Sequence, residues 1–208
     1  MEVRHASDVA ARPCDDAAVI AASWDEPERF ADIFHRYYRE IHGYVTRRVG
    51  SAAAEDIAAD TFLTAFRRRW HFDPARGAVR PWLYGIATNL IGLHRRAEKR
   101  FYRALAKTPA ENVAEGHEER AADRVSAGST GGALAGALAR LPVGERDVLL
   151  LIALADLTYE EVAQALGVKY GTVASRLNRA RRRLREAFGG VDPTMTVDPT
   201  MTTEESPE

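Results

Sequence analysis

Residues 158–177 read Thr158-Tyr159-Glu160-Glu161-Val162-Ala163-Gln164-Ala165-Leu166-Gly167-Val168-Lys169-Tyr170-Gly171-Thr172-Val173-Ala174-Ser175-Arg176-Leu177. The Thr158-x-x-Glu161 spacing is that of a capping box, in which the threonine hydroxyl and the glutamate carboxylate each satisfy an amide at the start of a helix. A helix therefore begins at Thr158 and runs for about two turns with Val162, Ala163 and Leu166 inward. It stops at Gly167, the residue type that adopts a left-handed cap without steric cost. Val168, Lys169 and Tyr170 make a short turn, and a second helix starts near Gly171-Thr172. Its inward positions are Val173, Leu177, Ala180 and Leu184, at steps of four, three and four. Thr172, Ser175, Arg176, Arg179 and Arg183 fall on another face. Two short helices joined by a glycine turn, the second basic, make a helix-turn-helix. Short polar side chains and arginines near the start of such a helix reach base edges, and the bases further along neutralise phosphates.

Outward from this motif the pattern stays helical. Leu134, Leu138 and Leu141 mark a short helix ending before Pro142, and Val148 to Leu154 is apolar enough for a core helix. Residues 105–132 contain Pro109, Gly116, Gly128, Gly131, Gly132 and several acids, and read as an acidic flexible linker. Upstream, Phe30, Ile33, Phe34, Tyr37, Tyr38, Ile41, Tyr44 and Val45 recur at three- and four-residue steps until Gly50 and Ser51. The next helix starts near Ser51, with Glu55 and Asp56 early and Arg67 to Arg69 late, as the helix dipole favours. Its apolar positions Ile57, Phe62 and Phe66 form a core face. Residues 71–79, with Asp73-Pro74 and Gly77, read as a loop. Pro81 then opens a helix whose inward set is Trp82, Leu83, Ile86, Leu90 and Leu93. Residues 1–27 show no sustained period apart from a weakly helical stretch near Ala17 to Trp24, and are expected to form a mobile arm. Residues 189–208 contain a doubled Val-Asp-Pro-Thr-Met-Thr and read as a disordered acidic tail. The expectation is an all-α protein of two small helical domains, residues 28–104 and 133–188, joined by the linker.

The 208 residues carry a formal net charge of -1, but the sign is segregated. Residues 34–107 hold fifteen bases against six acids, a net +9, and residues 169–188 hold seven against one, a net +6. The first 32 residues and the last twenty each carry -5. Two basic modules between acidic flanks point to a polyanion gripped at two places. A single cysteine, Cys14, excludes an internal disulfide and a cysteine-based zinc site. No apolar run approaches the roughly 20 residues that span a bilayer, and the start of the chain lacks a signal-peptide core, so no membrane insertion is expected and the cytoplasm is the default location.

The N-terminal module adds a resemblance. Ala54-Glu55-Asp56-Ile57-Ala58-Ala59-Asp60-Thr61-Phe62-Leu63, then Pro81-Trp82-Leu83-Tyr84-Gly85-Ile86-Ala87-Thr88-Asn89, then Arg95-Arg96, resemble region 2 of bacterial extracytoplasmic-function sigma factors. Leu141-Pro142 through Arg146-Asp147-Val148-Leu149, Tyr159 through Val168, and Gly171 through Arg181 resemble region 4. The resemblance covers about residues 28–104 and 133–188, in the family's order, with nothing like region 3 between them. It implies a dissociable subunit that gives core RNA polymerase its promoter specificity and catalyses nothing itself, with no cofactor and no small-molecule substrate.

By the same resemblance, Asp56, Ala59, Asp60 and Leu63 lie on the helix that docks on the clamp helices of the largest polymerase subunit, Ala59 standing where glutamine is common. Residues 71–79 occupy the place of the minus-10 reading loop. Arg76 and Arg80 flank a pocket for an unpaired base, and Arg95, Arg96, Lys99 and Arg100 track the melted non-template strand. Asn89 either contacts DNA or caps a helix end. Trp82, Tyr84 and Trp70 read at least as well as core residues. The helix with Thr172, Ser175, Arg176, Arg179 and Arg183 reads the minus-35 duplex in the major groove, and the second module also meets the polymerase flap. An anti-sigma factor, commonly membrane-linked, is the further partner the family implies.

A stand-alone repressor or activator requires a dimer interface or effector pocket within residues 28–104, where the basic count argues against one. An enzyme requires a site, yet His35, His42, His71, His94 and His117 have no metal-ligand spacing, and no phosphate-cradling glycine loop occurs.

Overall fold

The computed structural model describes residues 13–105 and 130–188, and among them all regular structure is helical. The helices are α1 (Pro13–Asp25), α2 (Ala31–Val49), α3 (Ala54–Arg68), α4 (Val79–Leu105), α5 (Thr130–Arg140), α6 (Val143–Ala155), α7 (Tyr159–Leu166) and α8 (Tyr170–Ala187). Short 3-10 turns lie at Pro27–Phe30, Arg69–His71 and Pro74–Arg76. The expected linker, apart from its ends, and the expected tail lie outside the described residues. Two compact units emerge: Leu150–Ala174 groups with the N-terminal helices α1–α4, and α5 with the start of α6 groups with residues 175–188. Residues 133–188, expected as one domain, are thus divided by contact between the two units, because α7 packs on α4.

In the first unit the broad stripe of α2 buries Ile33, Tyr37, Ile41, Tyr44 and Val45, as its period requires. Phe34 departs from it and is 36% exposed. Gly50 ends α2 at a φ of 84°, where a side chain would be strained. Helix α3 buries Ile57, Ala58, Thr61, Phe62 and Ala65, and the Thr61 hydroxyl donates to the Ile57 carbonyl at 2.7 Å. Helix α4 begins two residues ahead of Pro81, which sits in the first turn where its missing N–H costs nothing. Its core set is Leu83, Ile86, Ala87 and Ile91, whereas Leu93 is 54% exposed. Leu93 follows Ile91 by two residues, about 200° around the helix, so the step from Leu90 to Leu93 misplaces the stripe.

The expected mobile arm is corrected over part of its length. Residues 13–25 form α1, whose Ile20, Ser23 and Asp16 are buried. The Asp16 carboxylate accepts from Arg36 and from the Tyr37 hydroxyl on α2. Arg69 Nε donates to the Ser23 carbonyl at 3.1 Å, and the Trp24 indole donates to the Arg69 carbonyl at 3.3 Å. Polar anchors rather than an apolar stripe fix this helix, which is why its period is faint.

The cap reading of α7 holds in full. Thr158 accepts from the Glu161 amide at 3.2 Å, and the Glu161 carboxylate accepts from the Thr158 amide at 2.8 Å. Gly167 takes the left-handed conformation, with φ 63° and ψ 37°. Val173, Leu177, Ala180 and Leu184 are at most 1% exposed, so the inward face of α8 is the one its spacing predicts.

Candidate nucleic-acid interface

Helix α8 is buried along one side, so its polar residues are carried on the others. Ser175, Arg179 and Arg183 are exposed, and Thr172 and Arg176 are half-buried. The arginines are nonetheless organised. Glu145, in the first turn of α6, receives Arg179 Nε at 3.0 Å on one carboxylate oxygen and stands 3.4 Å from Arg183 Nε with the other. Arg176 lies over Gly144, where an added Cβ would come 3.1 Å from the guanidinium carbon.

The residues predicted to follow the melted strand divide. Arg76 and Asn89 line one cleft of about 700 Å³ together with Phe72 and Trp82 and with residues of α7 that include Glu160 and Gln164. Asn89 lies in the middle of α4 and is exposed, so it caps no helix end. The loop before α4 is set by its own chemistry. Asp73 accepts from the Ala75 amide at 3.0 Å, and Phe72 packs on Trp82 with ring centres 5.1 Å apart. Trp82 is therefore half-buried against Phe72, Tyr84 is buried, and Trp70, which read at least as well as a core residue, is 50% exposed beside Trp24.

Arg80 is held by protein groups. Its Nε donates to Glu40 at 2.7 Å and its Nη2 donates to the Ala155 carbonyl at 2.7 Å, with Glu161 at 3.9 Å. Burial works against its charge, but the hydrogen bond and charge of Glu40, with smaller contributions from Tyr84 and Glu161, hold its pKa above the ordinary arginine value. Tyr84 donates to the same carboxylate at 2.8 Å, and burial, then the Glu40 charge, raise its pKa well beyond that of free tyrosine. Arg95 donates to the Arg48 carbonyl. Arg96, Lys99 and Arg100 are exposed further along α4.

The third predicted set is uniform. Asp56, Ala59, Asp60 and Leu63 are all exposed at steps of three, one and three on α3, and Leu63 is 44% exposed. They form a polar strip with one apolar contact, opposite the buried Ile57, Ala58 and Phe62.

Sequence reasoning missed the groups that hold these surfaces. Gln164 reaches Ala78 with both ends of its amide, accepting from the backbone amide at 3.1 Å and donating to the carbonyl at 2.7 Å. Arg47 donates to the Leu154 carbonyl at 2.7 Å. A Cβ at Gly85 would stand 2.3 Å from the Ala165 carbonyl oxygen, so α4 and α7 meet backbone to backbone. Only Gly85, a glycine inside a helical pattern, carried any signal of this.

Comparison with known proteins places this geometry. The sigma-70 region 2 family matches residues 33–101 and the sigma-70 region 4 family matches residues 132–184. The ECF RNA polymerase sigma factor RpoE of Cereibacter sphaeroides is 30% identical over 76% of this chain and 84% of its own length. The ECF sigma factor SigM of Mycobacterium tuberculosis is 34% identical over 77% of each chain. Among solved structures, CnrH in complex with the cytosolic domain of CnrY aligns with a TM-score of 0.57 at 23% identity, covering 84% of this chain and 97% of that one. RpoE with the anti-sigma factor NepR from Bartonella quintana aligns with a TM-score of 0.55 at 24% identity, covering 78% and 98%. These two likenesses are of fold. Two region matches in order and relatives aligned over most of their length carry the assignment: the chain belongs to the ECF group of the sigma-70 family, the RNA polymerase sigma factors that direct transcription from promoters.

Proposed function

We propose that this sigma factor binds core RNA polymerase through the α3 strip of Asp56, Ala59, Asp60 and Leu63, and reads the minus-35 duplex with α8. It reads the melted minus-10 strand with the 71–79 loop and α4. The observation that carries the reading is the sidedness of α8, whose Val173, Leu177, Ala180 and Leu184 are buried while Ser175, Arg179 and Arg183 are exposed. The protein performs no chemistry itself; it works in the cytoplasm, where the polymerase supplies the catalysis. The polymerase clamp helices and flap, promoter DNA and an anti-sigma factor are its partners. Arg76 and Asn89 line the cleft between the 71–79 loop and α4, and Arg96, Lys99 and Arg100 follow the backbone.

The packing of α7 on α4 adds a condition. Elements centred about 25 base pairs apart lie roughly 80 Å apart on B-form DNA. Simultaneous reading therefore needs the Gln164–Ala78 and Arg80–Ala155 bonds to give way to DNA contacts.

Separation of function tests the assignment. Arg176→Ala with Arg179→Ala is expected to weaken promoter binding at least tenfold and leave affinity for core polymerase unchanged. Asp60→Lys with Leu63→Ala is expected to do the reverse. Loss of polymerase binding by the α8 variant would mean that the faces are wrongly assigned.

A further inference from the structure

We infer that Glu145 is a positioning residue for minus-35 readout, acting through Arg179 and Arg183; the inference rests on the reading of α8 given above. The Glu145 side chain is only 8% exposed, so its charge is largely out of water and requires cationic partners. Those partners come from two successive turns of α8, Arg179 at 3.0 Å and Arg183 at 3.4 Å, each approached through Nε. The guanidinium holds four of its five donors on the two terminal nitrogens, and this contact does not require them. The arginine side chains remain 44% and 46% exposed. Glu145 therefore holds Arg179 by a hydrogen bond to its inner nitrogen and attracts Arg183 by charge alone, its second carboxylate oxygen making no hydrogen bond, and so leaves the Arg179 fork suited to the O6 and N7 acceptors of guanine.

The neighbouring residue supports the same corner. Gly144 leaves the space in which the Arg176 guanidinium lies, and any side chain there would press on it at 3.1 Å. The first turn of α6 thus sets three arginines of α8 at once.

The carboxylate has a second effect, on charge. Two arginines with one buried acid present a net single positive charge, which reduces attraction to phosphate of any sequence. Glu145 lowers indiscriminate affinity and fixes geometry, so it acts on the ratio of specific to non-specific binding.

The test uses the full-length protein with core polymerase, on promoter fragments carrying either the preferred minus-35 element or single-base changes in it. Glu145→Gln keeps the size and one acceptor but removes the charge. It is expected to reduce minus-35 discrimination about tenfold, to leave polymerase affinity unchanged, and to steepen the salt dependence of DNA binding by up to about one unit of slope. Adding Arg179→Ala is expected to reduce discrimination little further in the Glu145→Gln protein, although it does so strongly in wild type. A purely structural role predicts instead that preferred and altered sites weaken equally, with an unchanged slope and additive losses, and that result overturns the inference. If the wild-type holoenzyme is itself indifferent to minus-35 changes, the reading of α8 fails and the inference falls with it. If wild type discriminates and Glu145→Gln does so equally well, only the role of Glu145 is lost.

Discussion

Hydrogen is the only substituent that Gly85 accommodates, because a Cβ there would lie 2.3 Å from the Ala165 carbonyl oxygen. Gly85→Ala is therefore expected to destabilise the full-length protein by about 1–3 kcal/mol through overpacking, measured by urea unfolding; a midpoint equal to wild type would contradict the contact. At this scale the sequence was legible wherever burial follows a short period. Val173, Leu177, Ala180 and Leu184 are all at most 1% exposed, as their steps of four, three and four require. It was illegible wherever a polar side chain is satisfied far along the chain. Glu145 looks like any first-turn acid until Arg179, 34 residues later, is folded against it. Gln164 reads as a solvent-facing residue of α7, yet its partner Ala78 lies 86 residues upstream.

Elements were read best where their ends carry their own chemistry. Helix α7 has eight residues, too few to be stable alone, so its capping box and left-handed Gly167 define it as much as its packing does. Thr158→Ala removes one half of the box and is expected to cost about 1 kcal/mol, read as a lower denaturation midpoint; no change would mean that packing alone holds the helix. Helix α1 shows the opposite case. Among its described residues the anchors to the rest of the domain include a carboxylate, a serine carbonyl, an indole and a buried isoleucine, which together produce no hydrophobic period. Asp16→Ala leaves Arg36 and the buried Tyr37 hydroxyl without their shared acceptor, and is expected to cost about 3 kcal/mol. An Asp16→Ala protein as stable as wild type would return α1 to the status of a loose arm.

For the whole molecule, segregated charge was the informative quantity, since the net of -1 conceals a +9 block and a +6 block. The two basic modules follow from that pattern, and their helical character follows from the three- and four-residue steps of their apolar residues. The compact grouping of Leu150–Ala174 with the N-terminal helices does not, because it depends on Arg80, Arg47 and Gln164 reaching groups 75 to 107 residues away. That grouping matters for function, since Arg80, assigned to minus-10 DNA, is occupied by Glu40 and the Ala155 carbonyl. The central claim is that this chain gives core polymerase its choice of promoter. The most direct measurement is transcription by bacterial core RNA polymerase on a genomic promoter library, with and without the purified protein. The account predicts transcripts that appear only with the protein, start downstream of two shared sequence elements, and disappear in the Arg176→Ala, Arg179→Ala variant. No protein-dependent transcript, together with tight duplex binding by the protein alone as a dimer, would contradict it.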